Sequence, residues 1–262
     1  DAAILQRAEG LGFTIIEARQ LSTIGSIVAT LRRPEGVTSA QALELLRARE
    51  PASPSGYNYL YRSTAPSRDA PFEEQDPGGL ALTLTGTIGV IDGFSGDTIQ
   101  GWSVERLVRQ PARLAHGDIV AGIMLQDLAD GFGSRPGKLL LMDVMAADGN
   151  AGSADVAALV FGLDRMTAAG AKVVNLSLAG PDHAALRRAV TETVRRGVTL
   201  VAAVGNAGPA APPFFPAAYD GVVGVAAVDS GGKPYLYSGR GPHVDVAALG
   251  EITTASHVAV QS

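Results

Sequence analysis

Cysteine is absent from this chain of 262 residues. Its absence excludes disulfides, thiolate metal sites and a cysteine nucleophile. No apolar stretch approaches the roughly 20 residues that cross a bilayer, so no membrane span is expected. Positive charge does not cluster beyond pairs of arginines and the net charge is −5, so nucleic acid is not an expected partner. The chain begins at Asp1 rather than Met, and we expect a processed form.

The composition that is present suits a globular α/β protein with many tight turns, because 46% of the residues are hydrophobic and 32 are glycine. From Gly86 onward, short aliphatic runs alternate with helical patterns. The first run, residues 87–93 (TIGVIDG), predicts a strand that is buried on both faces. The alternation predicts an α/β domain over residues 86–262, with a mainly parallel sheet and helices on both faces.

Residues 1–63 show a different order of patterns: helix, strand, strand, helix, strand. Thr38 opens a capping-box pattern for the second helix, and the last strand is predicted over residues 57–62. This order matches a ferredoxin-like βαββαβ unit that lacks its first strand, so we expect a small α+β module. Residues 64–85 are rich in proline, glycine, serine and charge, and are predicted to be a linker.

Three polar residues lie where such a domain would build a site. Asp92 ends the first buried strand, at the sheet edge where open α/β folds hold their ligands. His116 begins a predicted helix, and Gly117 would let that helix lie close to a strand, which suits a general base. Asn206 follows another strand in a glycine-rich turn, where its amide could donate to an oxyanion. Each residue, taken alone, also fits a purely structural role. The remaining histidines are interpreted as surface or loop residues: His183, His243 and His257.

Four motifs in this order resemble the subtilisin-like serine proteases. They are the aspartate at a strand end, HGDIVAG at 116–122, NLSLAGP at 175–181 and AVGNAG at 203–208. The resemblance covers residues 86–262 and implies a subtilisin-like three-layer α/β domain without a cofactor. It implies a serine endopeptidase in which Asp92 orients His116, His116 takes a proton from a serine, and Asn206 donates to the oxyanion.

The resemblance also implies an extended edge that pairs with the substrate backbone and walls the pocket for the residue before the cleaved bond. Its expected members are Asn175, Ser177, Leu178, Ala179 and Gly180. A cis peptide bond is further expected at Phe215–Pro216.

By the same resemblance, residues 1–63 would be a propeptide that assists folding and then inhibits its own enzyme. Its last strand would contact the active site through Tyr57, Tyr59, Tyr61 and Arg62. The linker 64–85 would hold the processing site. The resemblance implies polypeptide substrates and a secreted or periplasmic location.

The chain departs from the family pattern at four places. Asp92 is followed directly by Gly93 instead of by threonine or serine and then glycine, which leaves the implied triad intact. Ala179 stands where the family often has glycine, so the pocket wall is expected to be more crowded. Residues 129–137 lack an asparagine-rich calcium loop, with only Asp127 and Asp130 nearby, so no metal is expected there. No Gly-Thr-Ser-x-Ala motif occurs. We expect the serine to follow soon after Ser262, and residues 1–262 alone are predicted to be inactive.

Two alternatives are open at this point. One is a catalytically inactive binding or scaffold protein with the same fold, which the residue at the serine position would distinguish from an enzyme. The other is a nucleotide-binding α/β protein. It fits poorly, because no GxGxxG follows a strand and residues 131–138 miss the spacing of a phosphate-binding loop.

Overall fold

The computed structural model describes residues 2–64, 86–99, 102–107, 114–129, 138–147, 152–229, 231–254 and 257–260. The helices are α1 (Ala2–Gly10), α2 (Ser39–Arg49), α3 (His116–Ala129), α4 (Val156–Ala168) and α5 (Ala184–Arg195). The strands up to the middle of the chain are β1 (Thr14–Leu21), β2 (Ser26–Arg32), β3 (Leu60–Ser63), β4 (Thr87–Asp92), β5 (Thr98–Ile99), β6 (Trp102–Arg106) and β7 (Lys138–Asp143). The later strands are β8 (Ala154–Asp155), β9 (Val173–Leu176), β10 (Leu178–Ala179), β11 (Thr199–Ala203), β12 (Val222–Val228), β13 (Val246–Leu249), β14 (Glu251–Thr254) and β15 (His257–Val260).

An eight-stranded sheet forms the centre of the chain, in the order β13-β12-β11-β9-β4-β7-β6-β5. Its neighbours are parallel except for the edge pair β5–β6. In the middle of β4, Val90 and Ile91 are both 0% exposed, although successive side chains of a strand point to opposite faces. The sheet is therefore covered on both faces, and the predicted three-layer α/β architecture is confirmed.

Different helices cover the two faces of this sheet. On one face lies α4, whose Gly162 comes so close that an added Cβ would be 3.3 Å from Ile91 Cδ1. On the other face, Val120 and Ala121 of α3 pack against Val90. Full burial of an aliphatic side chain stabilises a fold by about 1.5–3 kcal/mol. These contacts therefore fix where the end of β4 meets the start of α3.

The N-terminal module contains the expected order of helices and strands. Strands β1 and β2 form an antiparallel hairpin, and Ala8, Phe13 and Ala42 form a small separate core. The capping box is present, since the Thr38 side chain accepts from Gln41 N–H and the Gln41 side chain accepts from Thr38 N–H. The third strand, however, pairs with β10 and β8 rather than with the hairpin. The ferredoxin-like sheet is therefore not confirmed.

The predicted strand over residues 57–62 is wrong at its start. Strand β3 begins at Leu60, and the Tyr59 N–H donates to the Tyr57 carbonyl at 2.9 Å, a turn too tight for an extended chain. The alternation of tyrosines favoured a longer strand. Its partner β8 has only two residues, which limits the length of the pairing.

Three further predictions can be compared with the structure. The sequence over residues 153–169 predicts a helix, but Ala154 and Asp155 form the short strand β8 and α4 begins only at Val156. His183 was interpreted as a surface residue, but it is only 8% exposed and caps α5 by accepting from the Ala185 N–H. The cis peptide bond at Phe215–Pro216 is confirmed.

The predicted linker beyond Thr64 and the loop 130–137 lie outside the described residues. Within the described part of the chain, no helix is long and apolar enough to cross a membrane.

Candidate active site

Asp92 at the end of β4 and His116 at the start of α3 are hydrogen bonded in the core. His116 Nδ1 lies 2.8 Å from Asp92 Oδ2 and 2.9 Å from Oδ1, and the Gly93 N–H donates to Oδ1 at 2.7 Å. An ionised carboxylate can only accept, so Nδ1 carries the proton and Nε2 of the neutral ring has a free lone pair. Nε2 is buried, and none of the described residues is hydrogen bonded to it.

A glycine allows the strand end and the helix start to come this close. The Gly117 N–H donates to the Gly93 carbonyl at 2.9 Å. A Cβ at Gly117 would lie 2.7 Å from the Phe94 ring and 2.8 Å from that carbonyl, distances that no real Cβ tolerates. Any larger residue at position 117 would therefore push His116 away from Asp92.

The electrostatics of this pair favour the charged imidazolium. Burial opposes protonation, but the charge of Asp92 and its hydrogen bond outweigh it, so the pKa of His116 is raised above 6.5. Asp92 is 0% exposed, which means that water does not screen the pair. The arrangement can take up a proton at Nε2 and stabilise the cation that results.

A second buried aspartate beside this pair was missed by the sequence analysis. Asp143 ends β7 in register with Asp92 and is also 0% exposed. Burial raises the pKa of Asp143 to about 6, although Met145 N–H and Arg106 both favour its charged form. The Arg106 guanidinium donates to its Oδ2. A usable signal was present, since residues 138–143 also form an aliphatic run that ends in aspartate.

Asn206 lies beside the same sheet edge, in the turn after β11. Its side-chain Nδ2 donates to the backbone carbonyl of Thr64. The Thr64 N–H in turn donates to the carbonyl of Ser177 at 3.1 Å, and Thr64 is only 3% exposed. The last described residue of the N-terminal segment is therefore bound through both of its backbone polar groups.

The strand just before Thr64 lies between two strands of the α/β domain. Ser63 and Arg62 pair antiparallel with Leu178 and Ala179 of β10. On the other side, Leu60 and Tyr61 pair with β8. Strand β3 is thus the middle strand of a three-stranded sheet that leads to Asn206, which is the arrangement of an extended peptide bound by strand addition.

Tyr61 is the large anchor of this strand. It is 0% exposed, and its hydroxyl donates to the Pro181 carbonyl. A Cβ at Gly180 would lie 2.5 Å from the Tyr61 ring, so glycine at this position makes room for the ring. Burial is the main reason that the pKa of the Tyr61 hydroxyl is raised.

The predicted substrate edge and contact strand are only partly brought together. Ser177, Leu178, Ala179 and Gly180 lie along β3 and Thr64. Asn175 lies in β9, and its amide donates to Ser177 Oγ at 3.0 Å. In the contact strand, Tyr61 and Arg62 pair with the α/β domain, whereas Tyr57 and Tyr59 lie outside the strand. Tyr59 instead packs edge-on against His183.

A second attachment of the N-terminal module was not foreseen. Asp164 of α4 is 1% exposed and accepts four hydrogen bonds from the turn between β1 and β2. They come from Ser22 N–H and Oγ at 2.8 and 3.0 Å, and from Thr23 N–H and Oγ1 at 2.8 and 2.5 Å. Burial alone would raise the pKa of Asp164, but these hydrogen bonds outweigh it and lower the pKa. No local sequence signal joins positions so far apart.

No group of three or more histidine, aspartate or glutamate side chains that could hold a metal ion occurs among the described residues.

Sequence and structure comparisons relate this chain to known proteins. Residues 93–262 match the model of the subtilase family of peptidases. The chain belongs to the subtilase family. Among subtilases, thermitase from Thermoactinomyces vulgaris is 32% identical over 175 residues, covering 65% of this chain and 62% of thermitase. Minor extracellular protease Epr from Bacillus subtilis (strain 168) is 34% identical over 145 residues, covering 55% of this chain and 22% of Epr.

A solved subtilase structure overlaps nearly the whole chain. Fervidolysin from Fervidobacterium pennivorans, a keratinolytic enzyme related to subtilisin, matches with a TM-score of 0.68 at 20% identity, over 96% of this chain and 46% of fervidolysin. At this identity the similarity shows the fold. The chain spans less than two thirds of each of these three relatives.

Proposed function

We propose that this protein is the zymogen of a serine endopeptidase and that residues 1–64 inhibit its own active site. The triad consists of Asp92, His116 and a serine from a segment outside residues 1–262. Subtilase membership supports the reaction class, because this is a family of serine proteases. One observation carries the proposal: the Thr64 carbonyl accepts a hydrogen bond from the Asn206 amide. Thr64 directly follows strand β3, which pairs with the proposed substrate edge.

The chemistry follows from the atoms that are free to react. His116 Nε2 removes the proton of the serine hydroxyl as its oxygen attacks the scissile carbonyl carbon, and Asp92 stabilises the imidazolium. Asn206 Nδ2 donates to the oxygen on which negative charge develops. His116 then protonates the leaving amine. Water cleaves the acyl-enzyme by the same steps in reverse, which restores the serine and the neutral histidine.

Inhibition follows from occupation of the substrate edge. Strand β3 uses the backbone groups of Leu178 and Ala179 that a substrate would need. Asp164 holds the module at a second place, through Ser22 and Thr23. Two attachments on one chain raise the effective concentration of the strand at the active site. The bond on the carboxyl side of Thr64 is the processing bond in this proposal, within the linker expected over residues 64–85.

A covalent serine probe tests the proposal. The full-length protein, including whatever sequence follows Ser262, is allowed to remove residues 1–64 and is then incubated with a fluorophosphonate and assayed for cleavage of a denatured protein substrate. We expect labelling at one serine and loss of both labelling and cleavage in His116→Ala. His243→Ala is the matched control, because His243 lies outside the site and should keep both signals.

A folded protein that neither labels nor cleaves after residues 1–64 have been removed would refute the proposed enzyme. Retained binding of extended peptides would then favour an inactive subtilase-fold binding protein, as would a residue other than serine in the expected motif.

A secreted or periplasmic location is proposed on the family resemblance, supported by the extracellular relative Epr.

A further inference from the structure

Three chain segments meet around the residue that precedes the proposed processing bond. Thr64 is held between Ser177, which accepts its N–H, and Asn206, which donates to its carbonyl. The third segment joins them at residues 214–215, because Gly180 and Phe215 form an antiparallel bridge with N···O distances of 3.0 and 2.9 Å. A substrate side chain at the position of Thr64 must fit between these segments.

Phe214 and Ala179 both lie beside the backbone that leads to Asn206. Gly205, directly before Asn206, has a φ of +92°, and a Cβ added there would lie 2.8 Å from Phe214 Cδ2. The same Cβ would lie 3.4 Å from the Cβ of Ala179. The Phe214 ring therefore stands against the backbone next to the oxyanion donor, and the Ala179 methyl group closes the space from the opposite segment.

The residue bound there agrees with a small pocket. Thr64 is 3% exposed, and its hydroxyl donates to the Ser177 carbonyl at 3.2 Å, the same acceptor that its N–H uses. A small or hydroxylated side chain thus fits with its polar atom satisfied. Three residues earlier, Gly180 leaves room for a whole tyrosine ring at Tyr61. The two side-chain positions of one bound strand differ sharply in the size that they accept.

We infer that Phe214 and Ala179 restrict cleavage to bonds that follow a small residue such as alanine, serine or threonine. This inference rests on the proposed function, because it assigns a specificity to that active site. A phenylalanine or tyrosine before the bond would have to displace the Phe214 ring, and overpacking of a filled site is unfavourable. The substrate class is an extended peptide with a small residue before the cleaved bond and an aromatic residue three positions earlier.

A peptide series with one variable residue tests this specificity. The substrates are Tyr-Arg-Ser-X p-nitroanilides with X as Ala, Thr or Phe, and the enzyme is the mature full-length protein. We expect kcat/KM for Ala and Thr to exceed that for Phe by about tenfold or more. In Phe214→Gly the Phe/Ala ratio should rise by about tenfold or more, whereas Phe214→Leu, which keeps most of the bulk, should retain the preference of the parent enzyme.

Two further measurements make the outcome decisive. Ala179→Gly removes one methyl group and should shift the Phe/Ala ratio in the same direction by about threefold, so a Phe214→Gly protein that fails to fold does not prevent the test. Replacing the tyrosine of the peptide by alanine should weaken cleavage equally in all variants. A parent enzyme that cleaves the Phe peptide as fast as the Ala peptide would overturn the inference alone. Absence of cleavage and of fluorophosphonate labelling would overturn the proposed function.

Discussion

Two buried aspartates of the α/β domain use their carboxylates in opposite ways. Asp164 accepts four hydrogen bonds from two backbone amides and two hydroxyls, none of which titrates in the physiological range. Asp92 accepts from an imidazole whose other nitrogen has no partner among the described residues. A carboxylate that is saturated by fixed donors can only hold a segment in place. One that is paired with a titratable ring can support proton transfer, because the ring has a second atom to offer.

The largest effect is expected from breaking the Asp92–His116 pair. In Asp92→Asn the amide cannot stabilise the imidazolium and can hold the wrong tautomer. We therefore expect kcat of the mature enzyme to fall by about 10⁴, the order known for triad aspartates in serine proteases including subtilisin. Asp164→Asn is the matched control and should leave kcat of the mature enzyme near the parent value. Equal losses in both variants would show that the two carboxylates do not differ in role.

A smaller loss is expected at Asn206, the proposed oxyanion donor. Asn206→Asp keeps the shape of the side chain but replaces the donor Nδ2 by an acceptor. The expected fall in kcat is about 10² to 10³, the loss known for the corresponding asparagine of subtilisin. Steady-state kinetics should show most of the change in kcat rather than in KM. A change confined to KM would mean that Asn206 binds the ground state and not the developing charge.

Breaking the Asp164 attachment should affect inhibition instead of chemistry. Asp164→Ala in the mature enzyme leaves the Ser22 and Thr23 donors without their charged acceptor. We expect a chain of residues 1–64 added in trans to inhibit this variant about 10- to 100-fold more weakly than the parent. Glu105→Ala is the control, because Glu105 pairs with Arg165 on the surface and no hydrogen bond joins it to the module among the described residues. An inhibition constant unchanged by Asp164→Ala would show that the Asp164 attachment adds nothing to the affinity.

The difference between the two carboxylates also explains what could be predicted from the sequence. Asp92, His116 and Asn206 lie at a strand end, a helix start and a glycine-rich turn, and local patterns reveal such places. Asp164 lies within α4, where nothing in the helix itself indicates that the carboxylate faces a turn near residue 22. That contact depends on the packing of segments 142 residues apart.

The same limit applies to the proposed substrate edge. The motif at 175–181 predicted the paired segment. The Phe214 ring occupies the neighbouring space because Phe215 pairs with Gly180 across the fold, and this is not visible in either local sequence. The predicted start of strand β3 was wrong for a related reason. The alternation of Tyr57, Tyr59 and Tyr61 favours an extended chain, but a strand extends only as far as its partners provide backbone groups.

Catalysis, which depends on the Asp92–His116 pair, and module binding at Asp164 should be lost in different pH ranges. His116 must be neutral to act as a base, and Asp92 raises its pKa above 6.5 although burial opposes this. The value of kcat/KM should therefore rise with pH, with a midpoint above 6.5. The pKa of Asp164 is instead lowered from 3.8 by the Thr23 and Ser22 hydrogen bonds, which outweigh burial. A lowered pKa means that its contribution to module binding is present at neutral pH and is lost only as pH falls through the lowered value.

Above about pH 4 and below the His116 midpoint, the enzyme should thus lose activity while Asp164 still holds the module. Binding of fluorescently labelled residues 1–64 to His116→Ala enzyme measures the second titration without catalysis, and the pH profile of kcat/KM in the parent measures the first. Asp143 has to be separated from both, because burial raises its pKa to about 6 next to Asp92, so the activity profile is repeated in Asp143→Asn. If module binding were lost at the same pH as activity, the attachment at Asp164 would not be an independent anchor, and the two aspartates would not differ in role.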